Sequence, residues 1–296
     1  MNPHLSLNPL TDYHQLVVYP FMVNALEAGT IVAVMASVVG WFMVLRRETF
    51  AGHTLSVMSF PGASAAALAG VSLSLGYFSF CVAGALAIAA GSRTAGRRNL
   101  GQESAITGTV QATGLALGFL FLSLYGGILE NLEELLFGSF LGITTTQVHT
   151  LAAITAAVLV FFLVAGRPLL YSSVDELAAD ARGVPVRLLQ VGFLVVLGLA
   201  VGATAQITGV LLVFALLVAP AAAAQQLTSR IPLSLGLTVL FALMIIWVGL
   251  TLAYFSVYSV GFYVATIAFA LYLACRLSRT AVRRIGRRAT AAPAIA

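Results

Sequence analysis

The chain contains no lysine, so all fifteen of its basic residues are arginines. Without lysine no G-x-x-x-x-G-K-[ST] phosphate loop can be written, and the chain carries no Walker-type nucleotide site of its own. Charge is scarce altogether, at 8% of residues, where a soluble domain carries roughly 25%. There is no G-x-S-x-G, no H-E-x-x-H and no C-x-x-C. The four histidines, His4, His14, His53 and His149, are too scattered to build a zinc enzyme by spacing. Cys81 and Cys275 fall in apolar segments expected to lie toward opposite membrane faces, which argues for buried small side chains and against a disulfide. The expectation is a chain that is not an enzyme. If it performs active work, the energy comes from another subunit or an ion gradient.

What remains is oil. The sequence is 60% hydrophobic with a mean hydropathy of +1.01, and several apolar runs exceed the ~18 residues that mark a membrane-spanning helix. The fold class is therefore all-α, a polytopic transmembrane helical bundle. About nine segments read as spans, near 20–45, 54–72, 74–92, 105–126, 149–167, 189–204, 206–226, 232–253 and 256–275. Contact between the sixth and seventh at "GATAQITG", and the ambiguous stretch 127–148, leave eight and ten as alternatives. The arginines cluster at Arg46 and Arg47, at Arg93, Arg97 and Arg98, at Arg167, Arg182 and Arg187, at Arg230, and from Arg276 to Arg288. An N-terminus outside and a C-terminus in the cytoplasm put every cluster at an inner end, as the positive-inside rule asks. The expected division is an extracytoplasmic tail over 1–19, a membrane domain over 20–276 and a basic cytoplasmic tail over 277–296. The opening "MNPHLSLNPLTDYHQ" has no basic residue, which speaks against a cleavable signal peptide.

Two polar segments interrupt the oil. On the outer side, "GILENLEELLFGSFLGITTTQ" sets Ile128, Leu132, Leu135 and Leu136 on one helical face and Glu130, Glu133 and Glu134 on the other, the pattern of an amphipathic helix lying at the membrane surface. Those carboxylates read either as a solvated face or as an acidic outer rim that gathers cations or docks a partner. On the inner side, "RPLLYSSVDELAADARGVPVRLLQ" holds a short helix over about 173–184. Ser172 or Ser173 is the expected N-cap, Asp175 and Glu176 occupy the first turn, and Gly183 with Pro185 ends it. A polar helix of one to three turns has no core of its own and must rest on headgroups or on another protein.

The spacing Asp175-x₃-Ala179-x₃-Gly183 before Val184-Pro185 resembles the cytoplasmic coupling helix of bacterial ABC importers of the metal-ion and cobalamin/siderophore type. "TGVLLVFALLVAPAAAAQQL", "LRRETFAGHTLSVMSFPGASAA" and "LEELLFGSFLGIT" are each similar to stretches of the zinc/manganese/iron permease family, in the expected order. The resemblance implies a homodimeric permease with its path at or near the dimer centre. It also implies two separate ATP-binding subunits below, gripping Asp175, Glu176, Ala179 and Gly183, and an extracytoplasmic metal-binding protein above. The small residues of 61–70 and Ala221–Ala224 would let helices approach closely, and Pro61 and Pro220 would kink their spans.

The family opens its second span with G-D-x-x-x-H, two ligands on one helical face. Here the stretch reads "GHTLSV", with His53 at the Asp position and Val57 at the His position. His53 stays a candidate metal ligand, since imidazole suits Zn²⁺, though a lone histidine at the inner end also suits an interfacial hydrogen bond. Glu27, with Asn24 in the outer third of the first span, is the second candidate, because an acid near the bilayer centre costs ~2.5–3.5 kcal/mol on insertion scales. His149 reads as interfacial. The expected function is an importer permease for a divalent metal, zinc favoured, with no permanently bound cofactor. The competing readings are a secondary transporter or channel working alone, and a scaffold that transports nothing.

Overall fold

The computed structural model describes residues 18–94, 100–126, 142–256 and 258–290. Among them are ten helices and no strand: α1 (Pro20–Arg46), α2 (Thr49–Ala69), α3 (Leu73–Thr94), α4 (Leu100–Tyr125), α5 (Thr145–Val174), α6 (Glu176–Ala181), α7 (Val186–Thr208), α8 (Val210–Leu227), α9 (Ile231–Tyr254) and α10 (Val260–Thr290). The all-α expectation holds. Apart from the short α6, each helix coincides with one of the nine expected segments. Seven of the nine are long and apolar enough to cross a membrane by length and composition. The other two depart for different reasons. α8 contributes a shorter apolar stretch, Leu212–Leu227, and α2 is rich in hydroxyls.

Helix ends were the least legible part. α5 begins at Thr145, before the expected 149, because Thr144 caps it: its hydroxyl accepts from the Gln147 N–H, and the Gln147 side chain accepts from the Thr144 N–H, a reciprocal capping box. The same helix runs through Pro168 to Val174, past the expected stop at 167. A proline removes one backbone bond, and the flanking turns keep theirs. α1 ends on Arg47 with φ 61°, the only non-glycine residue at positive φ among those described. The conformation costs roughly 1–2 kcal/mol, and the reversal it makes lets α2 start three residues after α1 ends. α10 continues through the expected boundary at 276 to Thr290.

α1 is the hub. It packs against α9, α8, α5 and α7, and in its most apolar stretch 67% of residues are buried, against 17% for α4 and 22% for α10. Helices apolar on every side belong inside or against lipid. Backbone contact through glycine sets two crossings. A Cβ on Gly62 would lie 2.3 Å from the Gly76 carbonyl oxygen, and one on Gly76 2.2 Å from that of Gly62, so α2 and α3 touch main chain to main chain. A Cβ on Gly40 would lie 2.0 Å from the Leu217 carbonyl oxygen, the same device between α1 and α8. These are the close approaches expected of small-residue surfaces. Pro61 and Pro220 both lie inside continuous helices. Cys81 and Cys275 are free and buried.

Polar contacts sort the two ends of the bundle. At one end Asn24 donates to the Ile143 carbonyl, and Ser74 donates to Gln206. At the other, Trp41 donates to Ser234, Gln225 to the Trp41 carbonyl, Arg279 to Gln226 and Arg46 to Ser173. The second end also carries α6.

Candidate functional site

α6 hangs between α5 and α7 and packs on both. Its N-cap is Asp175, whose carboxylate accepts from the Ala178 N–H at 2.9 Å. The expected caps, Ser172 and Ser173, are instead still in α5 and donate to the Leu169 carbonyl. A capping hydroxyl needs non-helical backbone, and α5 has not ended there. At the far end Gly183 takes φ +80°; its N–H reaches the Asp180 carbonyl and that of Val184 reaches Ala179. This pair of bonds is a Schellman stop, which a left-handed glycine makes without a steric penalty. Ala179 is fully buried and seats the helix on the bundle. Tyr171 bonds the Ala178 carbonyl at 3.5 Å while the Arg182 guanidinium lies 5.3 Å from its ring centre. The helix is thus fixed at both ends and below. Its outward side mixes Asp175, Asp180 and Arg182 with the exposed Val174, Leu177 and, beyond it on α7, Leu188. Glu176 is half-buried.

The sequence reading missed the fastening beside it. Arg46, 8% exposed, donates through Nε and Nη2 to Glu48 Oε1 at 3.0 and 2.9 Å, and through Nη1 to Ser173 Oγ at 3.2 Å. Its guanidinium carbon lies 5.0 Å from the centre of the Phe193 ring on α7. Counted only as a positive-inside arginine, Arg46 is in fact buried. The signal was available: an arginine two residues before a glutamate at a reversal between two apolar helices has its counter-charge in reach.

His53 lies one turn inside α2, which starts at Thr49 rather than the expected 54. Its imidazole is half-buried and meets Phe214 of α8 edge-on, centroids 5.3 Å apart. Val57, the next turn on, is also half-buried. The other polar side chains of α2 are enclosed: Thr54 donates to Gln111 of α4, Ser56 to the His53 carbonyl, Ser64 to the Phe60 carbonyl, and Ser59 shares a 3.5 Å contact with Cys81. Glu27 is exposed on α1, and Asn24 is spent on Ile143. The two candidate ligands cannot share an ion within one chain. From Glu27 to Arg46 the helix rises about 28 Å and α2 returns only about 6 Å to His53, leaving about 20 Å between them. Among the described residues no three His, Cys, Asp or Glu side chains gather as a metal site. His149 is exposed in the first turns of α5. Glu130, Glu133 and Glu134 lie outside the described residues.

A hub of apolar helices, glycine-tight crossings and, among the described residues, a short polar helix at one end define a multi-pass membrane protein. Residues 18–278 match the ABC 3 transport family, and the chain belongs to that family. The manganese transport system membrane protein MntC of Halalkalibacterium halodurans is 32% identical over 245 residues, 83% of this chain and 82% of that protein. A probable iron transport system membrane protein of Haemophilus influenzae is 28% identical over 239 residues, 80% of this chain and 85% of its own length. Among solved structures, PsaBC from Streptococcus pneumoniae in complex with Fab has a similar chain, with TM-score 0.78 and 26% identity over 90% of this chain and 94% of that one.

Proposed function

We propose that this chain is the permease subunit of an ATP-driven importer of divalent first-row transition metals, working as a homodimer beneath an extracytoplasmic binding protein and above two separate ATPase subunits. The observation that carries the reading is α6. A six-residue helix capped at both ends and seated through Ala179, with charges and bare leucines turned outward, is built to be gripped. In this reading all nine long helices cross the bilayer, with the N-terminus outside. Support comes from the arginine clusters and from the gathering of α6 with Arg46, Arg230 and Arg279 at one end of the bundle.

The relatives' names point to manganese and iron, while the expectation of zinc rested on a single imidazole, and the relatives outweigh it. His53 is proposed as a ligand on the path and Glu27 as a polar station nearer the outer mouth. Glu130, Glu133 and Glu134 are proposed as an acidic rim that draws cations toward that mouth. No permanently bound cofactor enters the scheme, and the metal is cargo. A transport site with few ligands suits this role, because a closed cage holds its ion too tightly to release it.

The test is reconstitution with an ABC ATPase and an extracytoplasmic binding protein from the same organism that co-purify with it, measuring hydrolysis with the binding protein loaded with Mn²⁺, Fe²⁺ or Zn²⁺. Stimulation by one loaded form and not by the empty protein is expected, with Mn²⁺ or Fe²⁺ the strongest. Absence of any stimulation, together with failure of the two subunits to associate, overturns the reading. In the same vesicles His53→Ala combined with Glu27→Ala should lower metal uptake at least tenfold. Unchanged uptake removes both as site residues and leaves the permease reading standing.

A further inference from the structure

A single buried cation touches three helices that surround the proposed coupling site. Arg46 ends α1; its counter-ion Glu48 is the residue before α2. Its second partner, Ser173, lies two residues before Asp175, the cap of α6, and its third, Phe193, is a fully buried residue of α7, the helix that leaves α6. So the guanidinium holds the helix entering α6, the helix leaving α6 and the start of α2, which carries His53 one turn on. A charge held away from water depends on its partners, and stripping them leaves it uncompensated. The four groups therefore move as one body. Arginine suits the task because its fork serves a carboxylate and a hydroxyl at once while its face lies on a ring, which a lysine cannot do.

We propose that Arg46 is a positioning residue that carries displacement of α6 to α2, and through α2 to His53. The inference rests on the permease reading and adds to it a mechanical route from the motor to the path. An alternative in which the ion pair merely closes the α1–α2 turn predicts different behaviour, because a closed turn stabilises the fold without linking two motions.

The experiment uses the permease–ATPase complex in lipid nanodiscs, with Cys81 and Cys275 replaced by alanine and paired spin labels at exposed positions. One pair, Arg187 in the first turn of α7 just beyond α6 with Ile231 on α9, both exposed, reads the motion of the α6 end. The other, Leu68 on α2 with Leu240 on α9, reads the motion of α2. Trapping with Mg-ATP and vanadate should shift both distances in the otherwise unchanged complex. With Arg46→Met the first shift should persist and the second should fall to half or less. Equal shifts in both pairs overturn the proposal. Should Arg46→Met fail to assemble, Ser173→Ala decides, since it deletes one hydrogen bond and spares the ion pair: a reduced α2 shift is expected, and an unchanged one overturns the linkage. No motion of Arg187 in the complex that keeps Arg46 and Ser173 defeats the permease reading itself, and the linkage with it.

Discussion

α2 and α6 both carry several polar side chains, and they spend them in opposite ways. In α2, Thr54, Ser56, Ser59 and Ser64 are 0–2% exposed, and most of their hydroxyls bond the carbonyl three or four residues back or a neighbouring helix. At α6 Asp175 and Asp180 are exposed while Glu176 is half-buried, and Asp175 caps the helix. The hidden polarity of α2 is consumed by the fold, whereas that of Asp175 and Asp180 stays at the surface. The half-buried His53 stands between these cases. Its ring meets Phe214 of α8 edge-on.

The comparison breaks most severely at the seam that buries α2. Gly62→Val puts branched carbon where the Gly76 carbonyl already sits 2.3 Å from a Cβ. Main chain cannot swing aside as a flexible side chain does. Overpacking of this kind costs about 3 kcal/mol, and here it pries α3 off α2. Loss of monodisperse protein after detergent extraction is expected. Gly236→Ala is the control: no atom lies within 4 Å of its Cβ, so the yield should be unchanged and the melting temperature equal or slightly higher. A Gly62→Val protein as stable as Gly236→Ala would mean that α2 is not held as described.

At α6 the fold should survive and the partner should not. Gly183→Pro demands φ near −65° where the chain has +80° and removes the N–H that reaches Asp180. Asp175→Arg deletes the cap, worth about 1 kcal/mol, and reverses a charge on the face proposed to meet the ATPase. Each should leave extraction yield intact and reduce ATPase co-purification about tenfold, while Asp175→Asn, which can still cap, should reduce it two- to threefold. Unchanged co-purification in both severe variants would make α6 an ordinary linker.

Periodicity and hydropathy made the helices legible, since lipid and core both demand apolar residues over a full turn. They could not place the ends. Thr144 and Asp175 cap because of backbone geometry that a neighbouring serine in the same sequence context does not adopt, and Pro168 is tolerated because α5 is held on both sides of it. The short spacing of Asp175, Ala179 and Gly183 is local, so α6 could be read from the chain alone. Arg46 with Ser173 and Phe193 is not local. Residues separated by more than a hundred positions meet only once α1, α5 and α7 have packed, and no one-dimensional pattern marks them. His53 was expected just before its span and lies one turn inside α2, because the helix starts at Thr49.

The finest test stays within α2 and separates polarity satisfied by its own helix from polarity that crosses to another. Ser64 donates to Phe60 four residues back at 3.0 Å, and that carbonyl keeps its place in the helix ladder without it. Thr54 donates to Gln111 on α4 at 3.1 Å, so removing its hydroxyl strips a part-buried carboxamide of a partner. Ser64→Ala should shift the melting temperature of the detergent-solubilised protein by no more than about 0.5 kcal/mol in equivalent stability. Thr54→Val, similar in shape, should cost about 1–2 kcal/mol. A double variant with Gln111→Leu should recover most of the Thr54→Val loss, because replacing both partners leaves nothing unsatisfied. Equal losses from Ser64→Ala and Thr54→Val would show that the hydroxyls of α2 are interchangeable filling, and the contrast with α6 would then be one of exposure alone.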